Sequence, residues 1–161
     1  MRSLLVLCSY HHHNTEKIAR VFARVLDAEI QTARQVIPEG IQGYDLVGFG
    51  SGIYGGTHHQ DLLDLAARLP RVTGRNAFIF STSAMTGKAK VEKDHSLLRE
   101  TLQSRGYVIA DEFSGKGFNT NSFLKFFGGM NKGRPNAEDL RHAEEFAMNL
   151  KQKLEKISGV P

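Results

Sequence analysis

The sequence predicts an α/β fold in which a parallel sheet is buried between two layers of helices. Three observations predict it. Short apolar runs of strand length alternate with amphipathic stretches of helix length along the whole chain. The strand runs are apolar throughout rather than at every second position, as in sheets covered on both faces. Three of them pass directly into polar loops, Ser9–Thr15, Ser51–Thr57 and Ser81–Gly87, and a parallel sheet places all three loops on its carboxyl edge.

Taken in order, Ser3 to Cys8 is an apolar run long enough for a strand and too short for a helix. Glu16 to Leu26 then carries Ile18, Ala19, Phe22, Val25 and Leu26 on one helical stripe. Asn14 and Thr15 stand where a cap and a hydroxyl donor are expected. Glu29–Ala33 reads as a short second strand, and Gln35–Gly43, with Pro38, Gly40 and Gly43, as a connection with at most one helical turn. Asp45–Gly50 is the third strand. Thr57 is placed to cap a helix whose stripe is Leu62, Leu65, Ala66 and Leu69, stopped by Pro70. Ala77–Phe80 is the fourth strand. A helix over Val91–Ser104 turns Leu98 and Leu102 inward and ends at Gly106. Tyr107 to Phe113 is the fifth strand, and a long Gly-rich loop follows from Ser114 to Arg134. Asn136, with Asp139 three residues on, opens a last helix whose buried face is Leu140, Ala143, Phe146, Ala147, Leu150 and Leu154.

The chain has 161 residues, 40% hydrophobic and 24% charged, and is expected to fold as one domain over 1–161. No apolar run approaches the roughly 20 residues of a membrane span. The start lacks the basic and long apolar regions of a secretory signal. The single Cys8 excludes an internal disulfide and suits a reducing cytoplasm, so the expected location is cytoplasmic. The net charge of +4 equals the four cations Lys116, Lys125, Lys132 and Arg134, which stand in a stretch, Phe113–Ala137, without any acid. No nucleic-acid motif accompanies them, so an anionic cofactor or an acidic partner is the expected counterpart, not nucleic acid.

A strand, a polar loop and a helix start make an anion site, because the first helical N–H groups lack internal partners and the helix dipole is positive there. The loop Ser9–Thr15 is therefore the expected phosphate end of a ligand site completed by the two other loops on the same edge. Each glycine has a plainer explanation, that it makes its turn. Gly48-Phe49-Gly50-Ser51-Gly52 lacks the dinucleotide register and follows the wrong strand, and no Walker-type phosphate loop exists.

Ser9–Ala19 (SYHHHNTEKIA), Gly48–Gly56 (GFGSGIYGG) and Phe78–Met85 (FIFSTSAM) together resemble the flavodoxin family, in order and spacing, over nearly the whole chain. The resemblance implies a flavodoxin-like three-layer sandwich with a five-stranded parallel sheet in order 2-1-3-4-5, helices on both faces, and non-covalently bound FMN. By this analogy Ser9, Asn14 and Thr15 hold the FMN phosphate, with His11, His12 and His13 in the same loop. Ser51, Gly52, Ile53, Tyr54, Gly55 and Gly56 border the flavin, Tyr54 stacking on it and a peptide between Gly52 and Gly56 facing N5. Ser81, Thr82, Ser83 and Met85 line the other ring edge.

Two departures stand out. The triple histidine replaces small residues and makes the phosphate loop one residue longer. Its imidazoles can contact phosphate, can lie in solvent, or can bind metal with His58 and His59. The chain is also basic where electron-carrying flavodoxins are acidic. Phe118, Phe123, Phe126 and Phe127 in the Ser114–Arg134 loop make either a flap packed on the last helix or a lid and partner surface beside the flavin, its lysines drawing an acidic redox partner. A homodimer is also open to such a chain.

The first expected function is one-electron transfer between protein partners as an FMN flavoprotein. The alternative is a small FMN-dependent oxidoreductase acting on a quinone, a porphyrin or NAD(P)H. A non-flavin module binding another phosphate ligand is the third.

Overall fold

The computed structural model describes residues 1–9, 13–83, 87–116 and 135–159. Among these the order is β1 (Ser3–Cys8), α1 (Asn14–Leu26), β2 (Ala28–Thr32), a 3₁₀ turn (Pro38–Gly43), β3 (Leu46–Tyr54), β4 (Thr57–His58), α2 (Gln60–Arg68), β5 (Arg75–Ser83), α3 (Lys88–Ser104), β6 (Tyr107–Lys116) and α4 (Ala137–Ile157). Five strands run parallel in the order β2-β1-β3-β5-β6. Counted along the chain without the two-residue β4, this is the expected 2-1-3-4-5. β4 folds back antiparallel on the end of β3.

Helices cover the sheet on both sides. Its α1/α4 face centres on Phe22, whose ring lies 5.2 to 5.6 Å from those of Phe78, Phe80, Phe113 and Phe146. A fully buried phenylalanine stabilises by about 1.5–3 kcal/mol through area alone, and an edge-to-face partner adds about 0.5–1.5 kcal/mol. Gly48 and Gly50 belong to this packing, because a Cβ at either would enter the ring of Phe78 or Phe80 on the neighbouring strand. The α2/α3 face is mostly aliphatic, with Val47, Ile79, Leu62, Leu65, Leu98 and Leu102 buried around Phe49. The α4 stripe is buried at Ala143, Ala147, Leu150 and Leu154 and partly buried at Leu140 and Phe146, and the Asn136–Asp139 capping box is formed in both directions.

Four expectations are corrected. β3 and β5 do not stop at Gly50 and Phe80 but continue to Tyr54 and Ser83, since the ladder pairs Ser51 with Ser81 and Gly52 with Thr82. Hydroxyl side chains hid those strand ends from a hydropathy reading. Ser51–Thr57 is therefore not a loop but a hairpin, turned by Gly55 and Gly56 at φ 61 and 81; a two-residue turn with both φ positive is the type I′ geometry that favours Gly-Gly. Thr57 lies in β4 and does not cap α2. His59 does, its Nδ1 accepting from the Asp61 N–H at 3.0 Å. Asn14 is the first helical residue of α1 and not its cap, a position held by His13 in the left-handed conformation.

β6 contains an irregularity that hydropathy could not reveal. Ala77 pairs with Ile109 but Phe78 with Asp111, which leaves Ala110 as an extra residue. One extra residue exchanges the faces of everything beyond it. Glu112 thereby reaches α3, while Phe113 joins Phe22 on the α4 side.

At the amino edge, the turn after α3 nests on the connection before β5. Val72 N–H donates to Arg105 O at 2.8 Å, and Gly74 N–H to Gly106 O at 3.0 Å. Gly106 has φ 94, and a Cβ there would overlap the Val72 carbonyl.

Candidate functional site at the carboxyl edge

Register places Cys8, Ser51, Ser81 and Ser114 in one row across β1, β3, β5 and β6 at the carboxyl edge. Two unlike polar clusters sit there, one under each helical layer.

The first lies at the start of α1. The Glu16 N–H points to Ser9 Oγ at 3.4 Å, drawing the end of β1 over the helix terminus. Thr15 and Thr82, both buried, share one hydroxyl–hydroxyl hydrogen bond of 2.7 Å. Only one of the two protons is consumed by that bond, so the other O–H is left for a further acceptor. His13 makes no side-chain capping bond; its Nδ1 meets Glu16 Oε2 at 2.9 Å, and the ring is largely in solvent. The Arg20 hydrogen bond holds the Glu16 carboxyl below its ordinary range. Hydroxyls and an α-helix terminus, with Asn14 buried beside them, form a surface of donors suited to an anion.

The hairpin β3–β4 forms one wall. The Tyr54 ring folds back toward Gly52, where a built Cβ would lie 3.2 Å from the Tyr54 hydroxyl, and meets the His59 ring edge-on at 5.4 Å. Burial, and then Cys8 nearby, raises the Tyr54 hydroxyl above its ordinary pKa. Ser51 Oγ donates to Gly52 O at 2.7 Å and accepts from the His59 N–H at 2.9 Å, so its hydroxyl ties β3 to the start of α2. Ile53 pairs with His58 in the hairpin, and Ser83 closes β5 opposite Lys116.

The second cluster lies beneath α3. Ser81 Oγ is 2.7 Å from His95 Nε2, His95 Nδ1 is 2.9 Å from Glu112 Oε1, and Arg99 grips both Glu112 oxygens at 2.8 Å. Ser81 is 1% exposed and His95 0%. Burial works to raise the Glu112 carboxyl, but hydrogen bonds from His95 and Arg99, with the Arg99 charge, bring it down to about 2. His58 lies over this group, its ring 4.8 Å from that of His95 and its Nε2 3.0 Å from the Phe80 carbonyl. Burial first, and His95 second, push His58 down to about 3. Its Nδ1 is buried without a hydrogen-bond partner among the described residues. Arg99, Glu112 and Ser114 line a surface cleft of about 600 Å³ next to this cluster, with Lys88 and Glu92 at its rim.

The structure thus gathers Ser9, His13, Asn14, Thr15, Ser51, Gly52, Ile53, Tyr54, Gly55, Gly56, Ser81, Thr82 and Ser83 at one edge. His11, His12 and Met85, and the loop beyond Lys116, lie outside the described residues. The rival metal set has His58 turned to a backbone carbonyl and His59 used as a cap; among the described residues no three His, Cys, Asp or Glu side chains are grouped to hold an ion. Sequence reasoning missed His58, His95, Arg99 and Glu112 as a unit. His95 and Arg99 stand one helical turn apart, which is a signal, but the β6 bulge concealed Glu112.

Comparison with known proteins agrees with this architecture. A family model described as a flavodoxin domain matches residues 5–156. An uncharacterized protein of Methanocaldococcus jannaschii is 42% identical over 150 residues, covering 93% of this chain and 98% of its own. Among solved structures, oxidised flavodoxin 2 from Bacillus cereus superposes with a TM-score of 0.72 at 18% identity, covering 95% of this chain and 99% of that one. A flavodoxin of Streptococcus pneumonia TIGR4 gives 0.69 at 17% identity, with coverage of 95% and 99%. A flavodoxin from the domain Archaea gives 0.62 at 13%, with 96% and 99%. At these identities the structures speak for the fold, while the family match covers most of the sequence: this chain belongs to the flavodoxin domain family.

Proposed function

We propose that this protein binds FMN at its carboxyl edge and transfers electrons one at a time between redox partners. The observation that carries the reading is the donor surface at the start of α1, where Ser9, Asn14, Thr15 and Thr82 meet opposite the Tyr54 hairpin. The residues fit the group: a phosphate would accept a hydrogen bond from the spare hydroxyl of the Thr15–Thr82 pair and lie at the α1 terminus, and the hairpin with Tyr54 would border the ring. FMN supplies the redox-active isoalloxazine, and the chain supplies its position and surroundings. Neutral hydroxyl and backbone donors at a helix start hold a phosphate without a buried cation.

One observation favours the second reading, a small FMN-dependent oxidoreductase acting on a diffusible quinone, porphyrin or NAD(P)H. A pure carrier needs no titratable side chains, whereas Ser81, His95 and Glu112 form a buried titratable chain at the same edge. The basic stretch beyond Ser114 supports an acidic redox partner for the carrier or an anionic substrate for the enzyme. Among the described residues no helix is long and apolar enough to cross a membrane, and a cytoplasmic protein acting as a single domain is the setting we infer.

The test is titration of the purified chain with FMN under fluorescence, then anaerobic addition of NADH or NADPH. Quenching of FMN fluorescence supports the site, and its absence removes it. Bleaching by the nicotinamide alone favours the enzyme over the carrier.

A further inference from the structure

We propose that Ser81, His95 and Glu112 form a proton-exchange unit serving the carboxyl-edge site, in which His95 stores one proton and the Ser81 hydroxyl passes it to or from the bound ligand. The inference rests on the flavin reading of that site and gives it a proton partner.

Hydrogen-bond chemistry fixes the direction of the chain. Glu112 is ionised and accepts on both oxygens, Oε1 from His95 and Arg99, Oε2 from Arg99. His95 Nδ1 must then carry a proton. In the neutral imidazole this leaves Nε2 bare, so Ser81 donates its O–H to Nε2 and keeps lone pairs for other neighbours. When His95 is protonated, Nε2–H donates to Ser81 instead, and the hydroxyl proton is released to point elsewhere. A change of one proton on His95 therefore converts Ser81 from acceptor to donor toward the row it shares with Ser51 and Ser114.

The step balances without any change in heavy-atom bonds. A basic atom of the ligand takes the Ser81 proton as Ser81 takes the Nε2 proton of imidazolium. The Nδ1 proton stays on its hydrogen bond to Glu112, which is not protonated at any stage. The reverse step returns the proton to His95.

Two features show that the unit is built rather than incidental. A buried polar chain ending in a charge costs desolvation that an apolar trio of similar volume avoids. The β6 bulge at Ala110 is what turns Glu112 to this face, at the loss of regular pairing, and bulges beside sites re-aim side chains in this way. The side chain of Glu112 is 24% exposed and borders the surface cleft, so the unit has an opening to water. Around His95 the other charged or titratable groups among the described residues are His58 from β4, kept neutral by burial, Arg99 on the far side of Glu112, and Asp94 on α3, paired with Lys90. Ser81 exchanges the proton, and His95 and Glu112 act through it.

The test has two arms. Ring ¹⁵N NMR of the FMN-free chain should show neutral His95 as the Nδ1–H tautomer, with its Nε2 signal shifted in Ser81→Ala. The reduction potential of the FMN-loaded protein, measured from pH 5 to 9, should bend at the pH where NMR finds His95 taking its proton. His95→Gln should bind FMN within about threefold of the wild type and lose the bend. Glu112→Gln, at a partly exposed position, should move the bend to lower pH, and it carries the test if His95→Gln does not fold. An Nε2–H tautomer, or the same bend in His95→Gln, overturns the proposal while leaving the flavin reading intact. Failure of the wild-type chain to bind FMN overturns both.

Discussion

Ser81 and Thr82 are consecutive on β5 and belong to two different machines. Thr82 faces α1 and pairs with Thr15 through neutral hydroxyls; Ser81 faces α3 and ends in an imidazole, a carboxylate and a guanidinium. The period of two in a strand separates them by a sheet's thickness of chemistry. One side offers donors whose state does not change with pH, suited to holding a permanent anion. The other is titratable, suited to a ligand whose proton content changes. Two adjacent hydroxyl residues in sequence say nothing of this division, which the helices behind them create.

The largest expected effect breaks the division at its source. Exchanging the two residues, in the Glu112→Phe, Phe113→Glu double variant, places a carboxylate against Phe22 and a phenyl ring against His95. The loss should exceed about 4 kcal/mol, read as failure to reach wild-type unfolding temperature; an unchanged melting curve would show that β6 does not depend on which face each of the two takes.

Acid should act on the titratable side first. His58 has a folded value of about 3 against an ordinary 6.5, so between those values the unfolded chain binds a proton that the folded chain refuses. Stability is complete above about pH 6.5 and falls as pH drops toward 3. Glu112, lowered from 4.5 to about 2, adds a second loss as pH falls through that lower window. Denaturant melts across pH should show the upper slope disappear in His58→Gln and the lower one remain.

On the neutral side, Thr15→Ala should weaken FMN binding by about 1.5–3 kcal/mol, roughly ten- to hundredfold, with little dependence on pH between 6 and 9. A fluorescence titration giving wild-type affinity would remove Thr15 from the phosphate end. Thr82→Val leaves the Thr15 hydroxyl buried without its partner and should cost about 1–2 kcal/mol of stability; the Thr15→Val, Thr82→Val double variant should cost less than the sum of the single changes. The smallest effect is at Tyr54, whose ring contact in the described structure is with His59. Tyr54→Ala should lower stability by less than about 1.5 kcal/mol and yet shift the flavin potential measurably, and an unshifted potential would place the ring away from the flavin.

How much of this was legible before the structure depended on which physics wrote it. The alternation of strands and helices, the helical stripes of α1, α2 and α4, and the Asn136 capping box follow from apolar period and cap chemistry, and the sequence displays both; the strand order is what the resemblance to flavodoxins implies. The strand ends at Ser51–Tyr54 and Ser81–Ser83 do not, because their hydroxyls are satisfied by tertiary partners such as His59 and His95. Gly55 and Gly56 carry both readings in the sequence, a turn and a border to the flavin, and their positive φ supplies the turn. Glu112 stands beside Asp111 in the sequence with nothing to mark it. Its role depends on a register shift, which no single-residue property records.

The nesting of Gly106 on Val72 has a consequence for how this protein can change. At that end the segment entering β5 and the segment entering β6 are clasped backbone to backbone, with no space for an added atom, so the two units cannot be spliced, lengthened or re-angled independently there. Growth and trimming of the chain are thereby steered away from this end, toward the opposite rim. The scaffold can acquire new loops above the carboxyl edge while the geometry of the rows beneath them stays locked from below.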